Sequence, residues 1–281
     1  FYPYRGGISQ FNACLYGELG RRHDVKAFNF KRQYPEFLFP GKTQYVTEDD
    51  EAVKIDSERL LDTANPFSYI TTLKKIRDWN PDLLIVRYWM SWFAPSLGYV
   101  TRGMKGRCKV ISILDNVVPH EPRFFDKPFT RYFLGGSDGS ITLCDAVSED
   151  LLRIRPDAVY RVLPHPLYSH FGKRKDRFSV EEKLGLEHGK KNILFFGLIR
   201  EYKGLDILID AFSGLGEDYQ LIIAGEPYGS FDRYAGMIDA AGKERIHTFL
   251  HYIKDSEVAD FFSAADVSVL PYRSATQSGI S

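Results

Sequence analysis

Two cations, Arg200 and Lys203, stand in the stretch FFGLIREYKGLDILIDAF (195–212), separated by a glutamate and a tyrosine, where an apolar run gives way to an amphipathic one. Such a loop is either an ordinary solvated turn or the holder of an anion. A helix starting near Gly204 would add free N–H groups and the positive end of its dipole. Arginine can fork onto two oxygens and lysine supplies a compact charge, so the set suits a diphosphate. A second candidate is PYRGGI (3–8), where Gly6 and Gly7 allow close backbone approach to a ligand at another helix N-terminus, or only make a turn. It is neither a GxGxxG fingerprint nor a P-loop. ILDNVVPHEP (113–122) gathers Asp115, Asn116, His120 and Glu121 after an apolar run. His120 suits a sugar hydroxyl or the buffering of charge, whereas Asp115 and Asn116 equally suit local turns. In LIIAGEPYG, Glu226 follows Gly225 and is placed either to accept hydrogen bonds from a ligand's hydroxyls or to cap the next helix.

Apolar runs of strand length alternate with segments of helical period almost throughout, the pattern of βα units and a parallel sheet covered on both faces. The expected strands are VKAFNF, DLLIVRYW, KVISILD, GSITLC, AVYRVL, KNILFFG (ending at Gly197), YQLIIAG, RIHTFLHYI and VSVLPY. Ile8, Phe11, Leu15 and Leu19 share one helical face, as do Leu205, Leu208, Ile209 and Phe212. The alternation breaks in a charged, glycine-bearing stretch over 169–189, expected to be a linker between an N-terminal domain (1–168) and a C-terminal one (190–281). Two open α/β sheets facing each other would form a cleft at the carboxyl ends of their strands. Both ends read as cut: FYPYRGGISQ resembles the loop after an absent strand, and SATQSGIS stops inside a loop.

Composition narrows the function. The 281 residues carry 37 Lys+Arg and 37 Asp+Glu, so no overall basic field draws the chain to nucleic acid and any anion must be caught locally. Hydrophobic residues at 44% and charged ones at 26% indicate a soluble globular protein. Cys14, Cys108 and Cys144 lie far apart, which argues against a disulfide framework or zinc site and for a reducing, cytoplasmic compartment. No apolar run spans a bilayer. His247 and His251 have a metal-like spacing, yet IHTFLHYI reads as a strand. PRFFDKPFTRYF (122–133) interleaves Arg123, Lys127 and Arg131 with aromatic residues, as a helix in peripheral contact with the inner face of a membrane would, although packing on the sheet explains the rings as well. YWMSWF (88–93) reads as core rather than a sugar-stacking platform. Oligomeric state has no sequence signal.

In their order and spacing, PYRGGI, SDGSITLCDAVSEDL, GLIREYKGLDILIDAF, IIAGE and AADVSVLPY together resemble the family-four glycosyltransferases over nearly the whole chain. The resemblance implies the GT-B fold, two Rossmann-like doubly wound parallel-sheet domains across a cleft. It also implies transfer of a sugar from a nucleoside-diphosphate-sugar donor to a glycan or lipid-linked acceptor, with retention of configuration and without a metal or cofactor. Carried over, Arg200 and Lys203 would grip the donor diphosphate, with Gly6 and Gly7 beside it and His120 near the sugar. Gly197, Glu226 and the backbone amides of Ser278 and Gly279 would complete the donor contacts. SATQSGIS departs from the pattern, since Thr276 or Gln277 stands near the position of a usual glutamate. That departure keeps open a non-catalytic nucleotide-sugar-binding protein, and a nucleotide-sugar epimerase can share the same architecture.

Overall fold

The computed structural model describes residues 1–35, 45–46, 53–118, 123–166 and 171–273. The chain divides into two compact units, with the described residues 1–35 and 53–166 in the first and 171–273 in the second. In the first unit, α1 (Gly7–Gly20) leads to β1 (Ala27–Arg32), which pairs in parallel with β2 (Ser57–Asp62). Helix α2 (Pro66–Trp79) follows, then β3 (Leu83–Tyr88), α3 (Ala94–Met104), β4 (Lys109–Leu114), α4 (Asp126–Leu134), β5 (Gly139–Thr142), α5 (Asp145–Ile154) and β6 (Tyr160–Val162). The last four strands form a parallel sheet in the order β3-β4-β5-β6. Local chemistry sets the helix bounds: before α2 the Asn65 side chain accepts from Phe67 N–H and Pro66 occupies the first turn, and Asn80 closes the helix at φ 56°. The rings of YWMSWF are largely core, for Tyr88 and Phe93 are fully buried and Tyr88 stacks on Phe133 with centroids 4.3 Å apart.

The second unit runs α6 (Arg177–Leu184), β7 (Lys191–Phe196), α7 (Leu205–Ser213), β8 (Tyr219–Ala224), α8 (Asp232–Ala241), β9 (Ile246–Phe249), α9 (Asp255–Ala264) and β10 (Val267–Ser268). Its parallel sheet has the order β10-β7-β8-β9. Strand β8 shows why such strands are legible: Leu221 and Ile223 join Phe195, Leu208 and Phe212 on one face, while Ile222 and Ala224 join Val180, Leu194 and Phe261 on the other. Alternate side chains enter two cores, so the run is apolar throughout. Helices on both faces make this sheet doubly wound.

Two expectations are corrected, and one strand was not expected. The stretch 169–189 is not simply a linker, because it contains α6, capped by Asp176 and closed by Gly185 at φ 67°, with Val180 and Leu186 buried in the second unit's core. Its charges pair within the unit: Lys183 and Lys175 with Asp260, and Arg177 with Glu181 and Asp266. Strand β2, SERLLD, was not foreseen, since polar residues fill its first half. RIHTFLHYI is extended only to Phe249, whose partner Ala224 is the last residue of β8, so the ladder has nothing further to pair with. No described helix is long and apolar enough to cross a membrane.

Candidate functional site

In the second unit the chain turns from β7 through β8 to β9 in one direction, and β10 returns to the other side of β7. The loops after β7 and β10 therefore part at a topological switch point, where open α/β sheets bind ligands. Gly197 at φ 98° ends β7, and Gly225 at φ 156° ends β8 so close to it that a Cβ on Gly225 would lie 2.1 Å from the Gly197 carbonyl oxygen. Ile199 N–H donates to the Glu226 carbonyl at 2.9 Å and Tyr228 N–H to the Ile199 carbonyl at 2.9 Å. These bonds hold Arg200 against the β8 loop. There its guanidinium lies 3.8 Å over the Tyr228 ring, and its Nε is buried with no hydrogen-bond partner among the described residues.

A single 3-10 turn, Glu201–Lys203, carries the chain to Gly204, whose φ of 68° starts α7. Only glycine fits, because a Cβ there would meet the Pro271 carbonyl oxygen at 2.1 Å. Lys203 is buried at 8% exposure, with Nζ 5.4 Å over the Tyr272 ring. Desolvation, followed by the charge of Arg200, pushes its pKa down to about 8. Among the described residues no carboxylate pairs with Lys203 or Arg200. The buried carboxylate nearby, Asp206, accepts a two-pronged bond from Arg273 at 2.7 and 2.7 Å and another from Arg233 at 2.8 Å. The Arg273 bond, ahead of desolvation and the other charges, sets the direction, and the Asp206 pKa lies below the ordinary carboxylate value. Arg273 also donates to the Glu201 carbonyl at 3.1 Å, and its backbone N–H to the Tyr202 carbonyl at 2.8 Å, so the chain beyond β10 clasps the cationic turn.

The structure thus brings Arg200, Lys203, Gly197 and Glu226 to one edge of the second sheet, with Glu226 buried at the end of β8. Gly6 and Gly7 belong to the first unit. Gly6, at φ 99°, caps α1, and open space surrounds the Cβ position of both glycines. The segment before them is moored by Asn29, whose Nδ2 donates to the Tyr2 carbonyl at 2.8 Å, and by Tyr4 Oη, which donates to the Phe30 carbonyl at 3.2 Å. His120, Glu121, Ser278 and Gly279 lie outside the described residues, as do Thr276 and Gln277.

Asp115 is not a free ligand group. It is buried and gripped by Arg87, with Nε to Oδ2 at 2.6 Å and Nη2 to Oδ1 at 2.5 Å. Arg87 also reaches Asn12 at 3.3 Å and covers the Phe11 ring at 3.9 Å. Its signal in the sequence was one arginine inside the apolar run LLIVRYW. Asp206, Arg233, Arg273 and Tyr228 were missed because nothing local marks them. His247, in β9, puts Nε2 3.1 Å from Gln220 Oε1, and burial lowers its pKa.

Residues 176–280 match the family model described as "Glycosyl transferases group 1". A GDP-mannose:glycolipid 4-beta-D-mannosyltransferase of Xanthomonas campestris pv. campestris is 28% identical over 174 residues, covering 60% of this chain and 45% of that protein. The chain thus spans a little under half the length of this curated relative. Among solved structures, sucrose-phosphate synthase from Thermosynechococcus elongatus aligns with a TM-score of 0.68 and 16% identity over 95% of this chain and 70% of that one. Anabaena HepE in complex with UDP aligns with a TM-score of 0.61 and 13% identity over 78% and 61%. The fold is that of the GT-B glycosyltransferases, α/β with parallel sheets, as the sequence implied.

Proposed function

We propose that this chain is part of a retaining glycosyltransferase that moves a sugar from a nucleoside-diphosphate-sugar donor to a glycan or lipid-linked glycan acceptor on the cytoplasmic side of a membrane. One observation carries the reading: Lys203 is buried beside Arg200, its pKa is depressed, and no described carboxylate balances either charge. A buried cation without a partner is unfavourable until an anion arrives. When the bond between the anomeric carbon and the diphosphate breaks, negative charge grows on the leaving oxygen. Fixed cations in a partly desolvated pocket stabilise that charge more than the ground state. Two protein cations at the leaving group let the reading dispense with a metal and a cofactor.

The remaining roles follow the resemblance. Gly197 and Glu226 contact the donor, Gly6 and Gly7 bring backbone beside it, His120 meets the sugar, and the amides of Ser278 and Gly279 meet phosphate or sugar. The match to the group 1 family model over 176–280 supports the donor side, since it contains the cationic turn. The relative's name supplies GDP-mannose and HepE's supplies UDP, so both nucleotides belong in the test.

In that test, calorimetry titrates nucleoside diphosphates into the protein and its R200A/K203A variant, and product analysis follows labelled donors with chelator present. Binding that vanishes in the variant while the fold persists supports the site, and undiminished binding refutes it. Turnover of donor without any acceptor would identify an epimerase, and binding without turnover a non-catalytic protein.

A further inference from the structure

We propose that the outer face of α2, α3 and α4 docks on an anionic lipid bilayer. This surface lies wholly in the first unit and stands independently of the sugar-transfer reading, because its readout is binding alone. The three helices pack side by side, and their carboxyl ends are tied together. Arg77 Nη2 donates to the Gly103 carbonyl at 2.8 Å, Arg102 Nε to the Tyr132 carbonyl at 2.9 Å and Lys105 Nζ to the Gly135 carbonyl at 2.8 Å. Every one of those bonds ends on a neutral oxygen, which fixes the cation on the surface without neutralising it.

The outward surface of the three helices mixes exposed apolar side chains with cations. On α2 the exposed stripe is Phe67, Ile70 and Lys74, at spacings of three and four that keep them on one side. On α3 it is Tyr99 followed by Arg102. Just before α4 stands Phe124, 94% exposed, followed within the helix by Lys127 and Arg131. Cations in a last helical turn, such as Arg77, Arg102 and Arg131, are what the helix dipole favours and need no ligand. Lys127 is different, since it sits in the first turn of α4, where the dipole opposes it. Neither Lys127 nor Arg131 has an ion pair or side-chain hydrogen bond among the described residues. With Arg102, Pro128 and Tyr132 they line a shallow depression open to solvent.

The carboxylates of α2, α3 and α4 are two, Asp78 and Asp126, and Asp126 is buried, holding Ser91 Oγ and the Arg123 N–H. The next helix, α5, shows the contrast, for there Arg153 pairs with both Glu149 and Asp150 and the surface neutralises itself. In a chain whose charges sum to zero, this local excess of cations is a directed feature. Its interleaved bare rings select the partner. A phosphate-rich surface with an apolar interior takes both the cations and the phenyl groups, whereas a nucleic-acid backbone takes only the cations.

Co-sedimentation measures the binding. Vesicles of equal parts phosphatidylcholine and phosphatidylglycerol should pellet the protein, while phosphatidylcholine alone should not. The K127E/R131E variant should lose about tenfold or more in apparent affinity. F124S should keep the salt-sensitive part of binding and lose the part that persists at high salt. R153E on α5 should match the parent. All four positions are solvent-facing, and circular dichroism with thermal melting checks each fold. K127Q/R131Q serves as a milder pair if charge reversal disturbs α4. Equal pelleting with neutral vesicles, indifference to both charge variants, or tighter retention on single-stranded DNA than on anionic vesicles would each overturn the proposal.

Discussion

Two arginines stand at the carboxyl ends of parallel strands in the two units, and they meet opposite fates. Arg87 near the end of β3 closes on Asp115 after β4, adds Asn12, and lies on Phe11. Arg200, beyond the end of β7, also lies on a ring, that of Tyr228, yet its Nε has no partner among the described residues and its neighbour is a buried cation. One charge is internally compensated and holds the fold together. The other meets no answering charge among the described residues. Position at a strand end, where ligand loops belong, does not separate the two, whereas the presence of a counter-charge does.

That comparison can be broken most directly through Arg200 and Lys203. Replacing both with alanine should lower sugar transfer by on the order of a thousandfold, read from initial rates, with the melting temperature held or raised because an unfavourable buried charge has gone. Arg87→Ala should do the reverse. By leaving Asp115 buried and alone it should cost about 3–5 kcal/mol of stability in urea unfolding. If Arg87→Ala proved neutral, the contrast between paired and unpaired charges would fail.

Glycine substitutions sharpen the same contrast at the level of backbone. Gly204→Ala introduces a Cβ into the Pro271 carbonyl and a strained φ, and should lower stability by about 2 kcal/mol while disordering the turn that presents Lys203. Gly6→Ala meets strain at φ 99° but open space, and should cost about 1 kcal/mol by the same denaturation assay.

The pH dependence of Lys203 gives a graded effect. Its folded pKa of about 8 lies below the ordinary 10.5, so in the ligand-free protein the charged form carries a desolvation penalty. The penalty is fully present below about 8 and fades as pH rises toward 10.5, where the unfolded chain also loses its proton. A diphosphate needs the charged form. Affinity measured by calorimetry should therefore fall by about tenfold per pH unit above 8, and Lys203→Met should flatten the profile.

Legibility followed burial. Strands β7 and β8 were plain because they bury both faces, and the cationic turn was plain because Gly197 and Gly204 punctuate it. Helix α6 escaped notice because its Arg177, Glu181 and Lys183 look solvated in sequence, whereas Arg177 and Lys183 also reach the distant Asp266 and Asp260. Strand β2 escaped because its first half is Ser57, Glu58 and Arg59, none of them buried, and only Leu61 and Asp62 at its end are.

By itself the sequence determined the alternation of strands and helices, the glycine turns and the place of Arg200 and Lys203, since all of these are written in residues a few positions apart. Only the tertiary structure decided which charges are answered. Arg87 meets Asp115 across 28 residues and Arg273 meets Asp206 across 67, and such distant partners carry no local pattern. Electrostatic compensation depends on distance and burial in space, and the order of the chain encodes neither.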